Sequence, residues 1–278
     1  MVTHFRNLLL VLLTLCAFLT GANAQDKVVV PNFWDPKAVQ DRPTDIPGKI
    51  QFLATDGYPP FVYRDAEDQL TGFNVDLARA ICQELDTSCS LRIKEFSGLL
   101  PALEEGEGDA IISGLARTED LVERLSFSDD YLKLPARFVV RAGQEKSFGA
   151  DTIAGARISV EAGSRHEAFA ARFWPDALLE PFETVEAART ALIKGDADAH
   201  FGDGLALSFW LNSTAAAGCC RFAGGPWLEP GYFDEGLSIA MRKDDASTRE
   251  AINYALRRLQ QTGTYRELYL RYFPVSFF

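Results

Sequence analysis

The distribution of apolar and polar residues predicts short strands that alternate with amphipathic helices along most of the chain. Apolar runs predict strands at residues 50–54, 109–113, 138–141, 157–160, 199–201 and 237–241. Helical periodicity and cap residues predict helices at 73–85, between Ser97 and Gly106, from Ser164 onward, and at 184–194. Two capping boxes, Ser247 with Glu250 and Thr264 with Glu267, predict the starts of two C-terminal helices.

Strands that alternate with helices are typical of α/β proteins with mostly parallel sheets. The chain has 278 residues, near the size at which one hydrophobic core stops growing, so two compact units are expected. The pattern therefore predicts two α/β lobes, and the cleft between them is the default place for a ligand.

The first 24 residues have the features of a secretory signal sequence. His4 and Arg6 precede an apolar run, and the small residues at 22–24 form a cleavage site after Ala24. The run is shorter than the roughly 20 residues of a membrane-spanning helix, which disfavours a membrane anchor. Residues 25–48 contain four prolines without a sustained period, and they predict an extended arm before the folded region. We therefore expect an exported protein.

Charge and motifs exclude several classes of function. The chain carries 28 Lys+Arg and 39 Asp+Glu, a net charge of −11 at pH 7. An acidic chain is a poor match for nucleic acid, whose binding depends on neutralising phosphates. The sequence has no nucleophile elbow, phosphate-binding loop or paired-histidine zinc motif. It therefore predicts no catalytic residue, metal site or cofactor.

Four of the five cysteines follow the signal sequence. In an exported protein, Cys82 and Cys89 are expected to form a disulfide that closes a short loop. Metal ligation is the alternative, but the two remaining histidines do not form a ligand-spaced cluster with these cysteines. The adjacent Cys219 and Cys220 fit a vicinal disulfide or two unpaired thiols equally well.

Many short motifs occur in the order in which one known family carries them. Each motif is weak alone, but together they span roughly residues 50 to 273. They include DGYPPF at 56–61, LTGFNVDLA at 70–78, LLPAL at 99–103, GDAIISGL at 108–115, FSDDY at 127–131, GDADA at 195–199 and RKDD at 242–245. On these motifs the chain resembles the family 3 extracellular solute-binding proteins, which are amino-acid receptors of ABC importers.

The resemblance implies the type II periplasmic-binding-protein fold, an α/β fold with two lobes, a two-strand hinge and a ligand cleft between the lobes. Lobe 1 would comprise residues 49–134 and 232–278, and lobe 2 residues 136–230. It also implies a periplasmic monomer that closes over an amino acid or related amine and delivers it to an inner-membrane ABC permease. The spacing of Cys82 and Cys89 resembles the disulfide of the lysine/arginine/ornithine and histidine receptors.

The resemblance also implies which residues bind the solute. Tyr58 and Phe96 match aromatic walls around the solute side chain, and aromatic faces suit both methylenes and a cationic head. Ser113 and Gly114 match a strand end that offers hydrogen bonds, and Asp203 matches the acid that holds the ammonium group. The alternatives are core packing for the two aromatic residues, a structural turn for Ser113 and an exposed loop for Asp203. The remaining matched positions are Thr118, Ser164 and Asp56, an acid for a basic solute side chain.

One position departs from the family pattern. The arginine that clamps the solute carboxylate in these receptors is replaced by Leu121, and the preceding serine by Ala116. Arg117 and Arg124 flank the gap and are candidates to replace the clamp. Arg165 is a third candidate, because it lies in the first turn of a predicted helix, where a bound anion would compensate its charge. A solvent-facing side chain is the alternative for Arg165.

Two alternative functions are compatible with the same fold. Loss of the carboxylate clamp is compatible with an exported enzyme that resembles the cyclohexadienyl dehydratases, although no catalytic acid can be singled out. The other alternative is an accessory protein of a periplasmic oxidoreductase or chemoreceptor. The arm at 25–48 is a candidate contact for such a partner.

Overall fold

The computed structural model describes residues 41–278, except residues 116, 235, 274–276 and 278. The predicted signal sequence and the arm up to residue 40 lie outside the described residues. The rest of the arm, 41–48, contains no helix or strand. Arg42 donates a hydrogen bond to the Leu85 carbonyl at 2.7 Å, and the Thr87 hydroxyl donates to the Pro47 carbonyl. This part of the arm therefore lies against the folded region.

Strands and helices alternate along the described chain, as the apolar pattern predicts. The strands are β1 (Lys49–Ala54), β2 (Tyr63–Arg64), β3 (Leu70–Thr71), β4 (Ser88–Ile93), β5 (Ala110–Ile111), β6 (Leu125–Phe127), β7 (Leu132–Lys133), β8 (Ala136–Arg141), β9 (Arg157–Glu161), β10 (Leu178–Phe182), β11 (Ala199–Asp203), β12 (Cys220–Trp227), β13 (Gly236–Leu237) and β14 (Ala240–Arg242). The helices are α1 (Phe73–Leu85), α2 (Phe96–Glu104), α3 (Glu119–Arg124), α4 (Arg165–Phe173), α5 (Val185–Lys194), α6 (Gly204–Leu211), α7 (Ala246–Thr262) and α8 (Thr264–Tyr272). A short 3₁₀ helix spans Ala150–Thr152.

The first sheet has the strand order β4-β1-β5-β14-β6. β1 runs parallel to β4 and β5, whereas β14 runs antiparallel to β5 and β6. Successive side chains of a strand point to opposite faces. Phe52 accordingly lies in the core cluster with α1, α7 and α8, and Leu53 lies in the cluster with α2. Helices therefore cover both faces of this sheet.

The second sheet has the strand order β10-β9-β11-β8-β12. β9 runs parallel to β10 and β11, and β8 runs antiparallel to β11 and β12. Phe138 and Phe201 pack in the cluster under α4, and Val139 packs in the cluster with α5 and α6. The parallel strands of each sheet agree with the α/β prediction, and the antiparallel strands make both sheets mixed.

Two chain crossings join the sheets. The chain leaves the first sheet through β7, enters the second at β8, and returns from β12 through β13. β7 and β13 pair antiparallel, with Leu132 opposite Leu237 and Lys133 opposite Gly236. A Cβ at Gly236 would collide with the Asp130 carboxyl group, so glycine is required at this point of the hinge. Two sheet-containing lobes joined by two strands confirm the predicted fold class.

Some helix starts differ from the sequence predictions. α2 begins at Phe96, so Ser97 lies within the helix. α7 is capped by Asp245, whose Oδ1 accepts a backbone N–H at 3.1 Å, and Ser247 is therefore not the cap. α8 follows α7 so closely that Thr264 is its first helical residue. A carboxylate is a strong cap acceptor because its negative charge is also attracted to the positive N-terminal end of the helix dipole.

Other local predictions agree with the structure. The hydroxyl groups of Ser164 and Thr184 cap α4 and α5, and α5 ends at Gly195 with a φ of +86°. The apolar run at 237–241 is divided, because its first part belongs to the hinge and its last part to the first sheet.

Both cysteine pairs are bonded in the described structure. Cys82 in α1 and Cys89 in β4 form a disulfide with their Cα atoms 6.0 Å apart, in agreement with the prediction. Cys219 and Cys220 are bonded to each other, with Cα atoms 3.7 Å apart. The structure thus has the vicinal disulfide rather than two thiols at the position that the sequence left open.

Candidate ligand-binding cleft

The carboxyl ends of β1, β4 and β5 meet at one edge of the first sheet, because these strands are parallel. Ligands of open α/β sheets bind at such an edge. The predicted binding residues that follow these strand ends are Asp56 and Tyr58 after β1, Phe96 after β4, and Ser113 and Gly114 after β5. The topology therefore brings these five residues to one edge of lobe 1.

Tyr58 and Phe96 are large apolar side chains exposed at this edge. Tyr58 is 52% exposed and Phe96 is 53% exposed. Tyr58 stacks on the buried Phe61 ring, with centroids 5.2 Å apart and planes inclined by 22°. The backbones of Tyr58 and Val62 also exchange hydrogen bonds of 2.9 and 3.0 Å. Both rings are half exposed, so core packing does not explain them.

Ser113 and Gly114 lie at the end of β5, near the hinge. Ser113 is buried, and its Oγ accepts the Thr55 N–H at 3.0 Å, which ties the ends of β5 and β1 together. Gly114 has a φ of +67°, and a Cβ there would lie 3.5 Å from Leu237 of β13. Thr118 caps α3 through its Oγ1, at 3.3 Å from the bonded nitrogen. Both hydroxyl groups thus accept structural bonds and can still donate to a solute.

The second lobe presents an equivalent edge at the carboxyl ends of β9, β10 and β11. Ser164 and Arg165 follow β9, and Asp203 ends β11. The Ser164 Oγ accepts the Glu167 N–H at 3.2 Å, and the Glu167 carboxylate accepts the Gly163 N–H at 2.6 Å. Ser164 and Glu167 therefore form a capping box whose return bond is displaced by one residue.

Asp203 is a half-buried carboxylate at the end of β11. Its Oδ1 accepts the Ala206 N–H at 2.8 Å and caps α6. Burial raises the pKa of Asp203, and this cap and the charges of Arg165 and Arg189 oppose the rise. Burial also raises the pKa of Tyr58, and the negative charge of Asp203 raises it further. The Asp203 carboxylate and the Tyr58 ring therefore lie near each other across the cleft.

Arg165 is the first residue of α4, and its surroundings already offset its charge. Its guanidinium lies 5.8 Å from the centroid of the Phe233 ring, and it is close enough to Asp203 to lower the pKa of that carboxyl group. Burial, followed by the charge of Arg165, lowers the pKa of His166 to about 4, so His166 is neutral at pH 7. A bound anion is not required to balance this helix end. The role of Arg165 as a carboxylate clamp stays a prediction.

The two arginines that flank Leu121 already have partners within lobe 1. Arg117 donates to the Ser128 carbonyl at 2.6 Å and to the Ser238 hydroxyl at 3.0 Å. Arg124 pairs with carboxylates of α2 and α3 at 2.5 and 3.2 Å. Leu121 itself packs against the core cluster of α2. Arg117 and Arg124 are therefore both engaged within lobe 1, and their role as a replacement clamp stays a prediction.

Arg117 instead bonds residues next to both hinge strands, which predicts an effect on stability. Its Nη2 lies 2.8 Å from the Asp130 carboxylate, which is only 17% exposed. Replacing Arg117 with methionine should lower the unfolding free energy by about 1–2 kcal/mol, because Asp130 loses its partner. For a domain of this size, the melting temperature should fall by about 3–6 °C.

The matched control for this prediction is Arg124→Met, which removes an exposed arginine from the other side of Leu121. Its melting temperature should stay close to that of the wild type, because exposed ion pairs contribute little. Equal melting temperatures of the two variants in a thermal unfolding experiment would contradict the stabilising role of Arg117 at the hinge.

Sequence motifs did not indicate Arg189, which is a second cation near Asp203. It lies on α5, its Nε is buried without a hydrogen-bond partner among the described residues, and its guanidinium lies 5.5 Å from the Trp210 ring centroid. Burial lowers the pKa of Arg189, and the charges of Glu186, Asp203 and Glu161 oppose this shift. Its position depends on the packing of α5 beside α6, which no local motif encodes.

Asp56 lies at the cleft edge, but its carboxylate already has a partner. The Nε of Arg64, in β2, lies 3.2 Å from Asp56 Oδ2. The sequence placed Asp56 in the site and did not indicate this partner, because the β2–β3 hairpin that positions Arg64 was not predicted.

Among the residues that the structure describes, no helix is long and apolar enough to cross a bilayer. Within the same part of the chain, no group of three or more His, Cys, Asp or Glu residues is arranged to hold a metal ion.

Comparison with known proteins agrees with the geometry. Residues 50–275 match the model of the bacterial extracellular solute-binding proteins, family 3. The chain is 30% identical over 224 residues to the putative ABC transporter arginine-binding protein 2 of Escherichia coli (strain K12), with coverage of 81% of this chain and 90% of that protein. It is 29% identical over 233 residues to the lysine/arginine/ornithine-binding periplasmic protein of the same organism, with coverage of 83% and 90%.

The fold is similar to that of a solved structure. The L-cystine solute receptor of Neisseria gonorrhoeae, in the unliganded open conformation, superposes with a TM-score of 0.71 at 20% identity. The match covers 83% of this chain and 94% of the receptor. At this identity the similarity bears on the fold alone.

Proposed function

The chain belongs to the bacterial extracellular solute-binding proteins of family 3, and we propose that it is a periplasmic receptor that supplies an amino acid or related polar amine to an ABC importer. The observation that carries this proposal is the half-buried Asp203 carboxylate opposite the exposed Tyr58 ring. A carboxylate whose burial raises its pKa gains most from a cationic partner, and a solute ammonium group can supply one.

Binding is proposed to close the two lobes about the β7–β13 hinge. In the structure the Tyr58 and Phe96 rings are half exposed, and a solute between the lobes would cover them. Closure of this kind is a hinge motion, and the solute drives it by binding the closed state more tightly than the open state. The closed shape would then be the form that the inner-membrane permease recognises.

The division of the chain follows from the same proposal. Lobe 1 comprises residues 49–134 and 232–278, which include the hinge strands β7 and β13, and lobe 2 comprises residues 136–230. Residues 1–24 are proposed to be a signal sequence cleaved after Ala24, and the mature protein to act in the periplasm as a monomer. The word periplasmic in the name of one reported relative supports this location.

We also propose that the chain binds its solute without converting it. Both curated relatives are named binding proteins. Incubation of the mature protein with prephenate or arogenate should give no product. Accumulation of product would support the dehydratase alternative instead.

Titration calorimetry of the mature protein against amino acids, opines and polyamines tests the proposal directly. At least one amino acid or amino-acid derivative should bind with a Kd of about 1 μM or below, which corresponds to a binding free energy of about −8 kcal/mol or more negative. If no compound binds at millimolar concentration, the receptor function is wrong.

The raised pKa of Asp203 predicts a pH dependence. Only the ionised carboxylate pairs with an ammonium group. Because its pKa is raised, Asp203 becomes protonated at a higher pH than an ordinary aspartate, which titrates near pH 4, and affinity should already fall in that higher range as the pH decreases. The ligand-free protein should show the opposite trend. The pKa of Asp203 is higher in the folded state than in the unfolded state, so protonation of Asp203 stabilises the fold as the pH falls through the raised pKa.

Dissociation constants measured from pH 8 to pH 4 test the first trend. Melting temperatures of the wild type relative to Asp203→Asn, over the same range, test the second. An affinity that stays constant down to pH 4 would contradict the role of the Asp203 carboxylate.

A further inference from the structure

Arg64 lies beside the cleft edge of lobe 1 and is held at two points. It belongs to the β2–β3 hairpin, which follows the loop that carries Tyr58. Its Nε donates to Asp56 Oδ2 at 3.2 Å, and its Nη1 donates to the Asp68 carbonyl at 3.0 Å. The Asp68 carboxylate lies 3.7 Å from the same Nη1. Arg64 therefore links the hairpin turn to the loop at the carboxyl end of β1.

The Arg64 guanidinium keeps hydrogen-bond donors available. A guanidinium carries five N–H groups, of which Asp56 and Asp68 use two. Among the described residues, none accepts a hydrogen bond from Nη2 of Arg64. The side chains of Arg64 and Asp56 are 46% and 38% exposed. A solute in the cleft can therefore reach both members of the pair.

This pair changes the charge that the distal end of a solute would meet. Asp56 alone would attract an ammonium or guanidinium group, but Arg64 neutralises it. A solute cation at this position would also meet the like charge of Arg64, and like charges in contact act against binding. Closure of the lobes removes water and strengthens this repulsion. An amide or carboxylate oxygen would instead accept the free N–H groups of Arg64.

We propose that Arg64 is a specificity-determining residue, which selects an amino acid whose side chain ends in an acceptor oxygen over one whose side chain ends in a cation. The proposal rests on the proposed function, because Asp203 and the aromatic residues must first bind the amino acid itself. The solute of this chain would then end in an acceptor oxygen, whereas the relative from Escherichia coli is named for arginine, whose side chain ends in a cation.

The test compares three ligands and two variants of the mature full-length chain by calorimetry. The ligands are L-glutamine, L-glutamate and L-arginine. Arg64→Met removes the charge and keeps the apolar stem of the side chain. Arg79→Met is the matched control, because Arg79 is also an exposed arginine of lobe 1 paired with an aspartate, Asp76 at 2.9 Å, but it lies within α1.

The wild type should bind glutamine or glutamate at least about tenfold more tightly than arginine. Arg64→Met should free Asp56 and shift this ratio toward arginine by at least about tenfold, whereas Arg79→Met should leave it unchanged. The melting temperatures of both variants show whether they remain folded.

Two other results overturn the proposal in distinguishable ways. If the wild type binds arginine most tightly, if Arg64→Met leaves the ratio unchanged, or if the wild type binds only an amino acid other than these three, the specificity role of Arg64 is wrong and the receptor function stands. If none of these ligands and no other amino acid binds the wild type, the receptor function fails and the specificity role fails with it.

Discussion

Replacement of Asp203 with asparagine is expected to weaken solute binding by about two orders of magnitude, because the solute ammonium loses its charged partner in a half-buried site. Asparagine is also a good helix cap. Its side-chain oxygen can still accept the Ala206 N–H that Asp203 accepts at 2.8 Å. The substitution therefore removes the charge and keeps the start of α6.

The control is Asp151→Asn, which makes the same chemical change at an exposed position of lobe 2, in the 3₁₀ helix. Calorimetry should show unchanged affinity for this variant. If Asp203→Asn keeps its melting temperature and binds the solute as tightly as the wild type, Asp203 does not hold the ammonium group.

Truncation of Tyr58 to alanine should weaken binding by about tenfold to a hundredfold, because the exposed ring is a wall that the solute covers on closure. The Tyr58 ring stacks on Phe61, with centroids 5.2 Å apart, but about half of Tyr58 is exposed. Its truncation therefore removes little buried apolar surface from the core. Stability should therefore change less than affinity. Tyr58→Phe keeps the ring and should bind nearly as tightly as the wild type.

Leu178→Ala provides a matched control for the loss of an exposed apolar side chain. Leu178 is 57% exposed, and it begins β10 at the edge of the second sheet opposite the cleft. Its truncation should leave affinity unchanged in the same titrations. A loss of affinity as large as that of Tyr58→Ala would show a general effect of surface truncation rather than contact with the solute.

The fold was largely predictable from the sequence, because its main elements carry strong local signals. Phe73, Leu77, Ile81 and Leu85 recur every four residues, and all four are buried on one side of α1. The strands β4, β6, β10 and β12 were not predicted. The short strands β2, β3, β7 and β13 were not predicted as such either. Each has only two residues, and such strands exist because of their partners rather than their own apolar pattern.

The helix starts show a similar limit. Ser247 and Glu250 have the spacing of a capping box, yet Asp245 caps α7. Asp244, Asp245 and Ser247 are all possible caps just before or at the start of this helix. The spacing of residues in the sequence could not decide which of them caps α7.

The candidate site residues were implied by the family resemblance and stay predictions, and the structure brings many of them to the sheet edges because they follow parallel strands. Asp203 and Tyr58 are of this kind. The partner of Asp56 was not predictable, because Arg64 reaches it from a hairpin with no strong pattern. Nor was the place of Arg117, which bonds the Ser238 hydroxyl, 121 residues away along the chain.

Small-angle X-ray scattering of the mature protein, with and without its tightest-binding amino acid, measures whether solute binding closes the two lobes. At a solute concentration that saturates the wild type but lies well below the raised Kd of Asp203→Asn, the radius of gyration should fall for the wild type and stay nearly unchanged for the variant, because closure requires bound solute that engages both lobes. An unchanged radius of gyration for the wild type at saturating amino acid would contradict the proposal that this protein is a receptor whose lobes close over its solute.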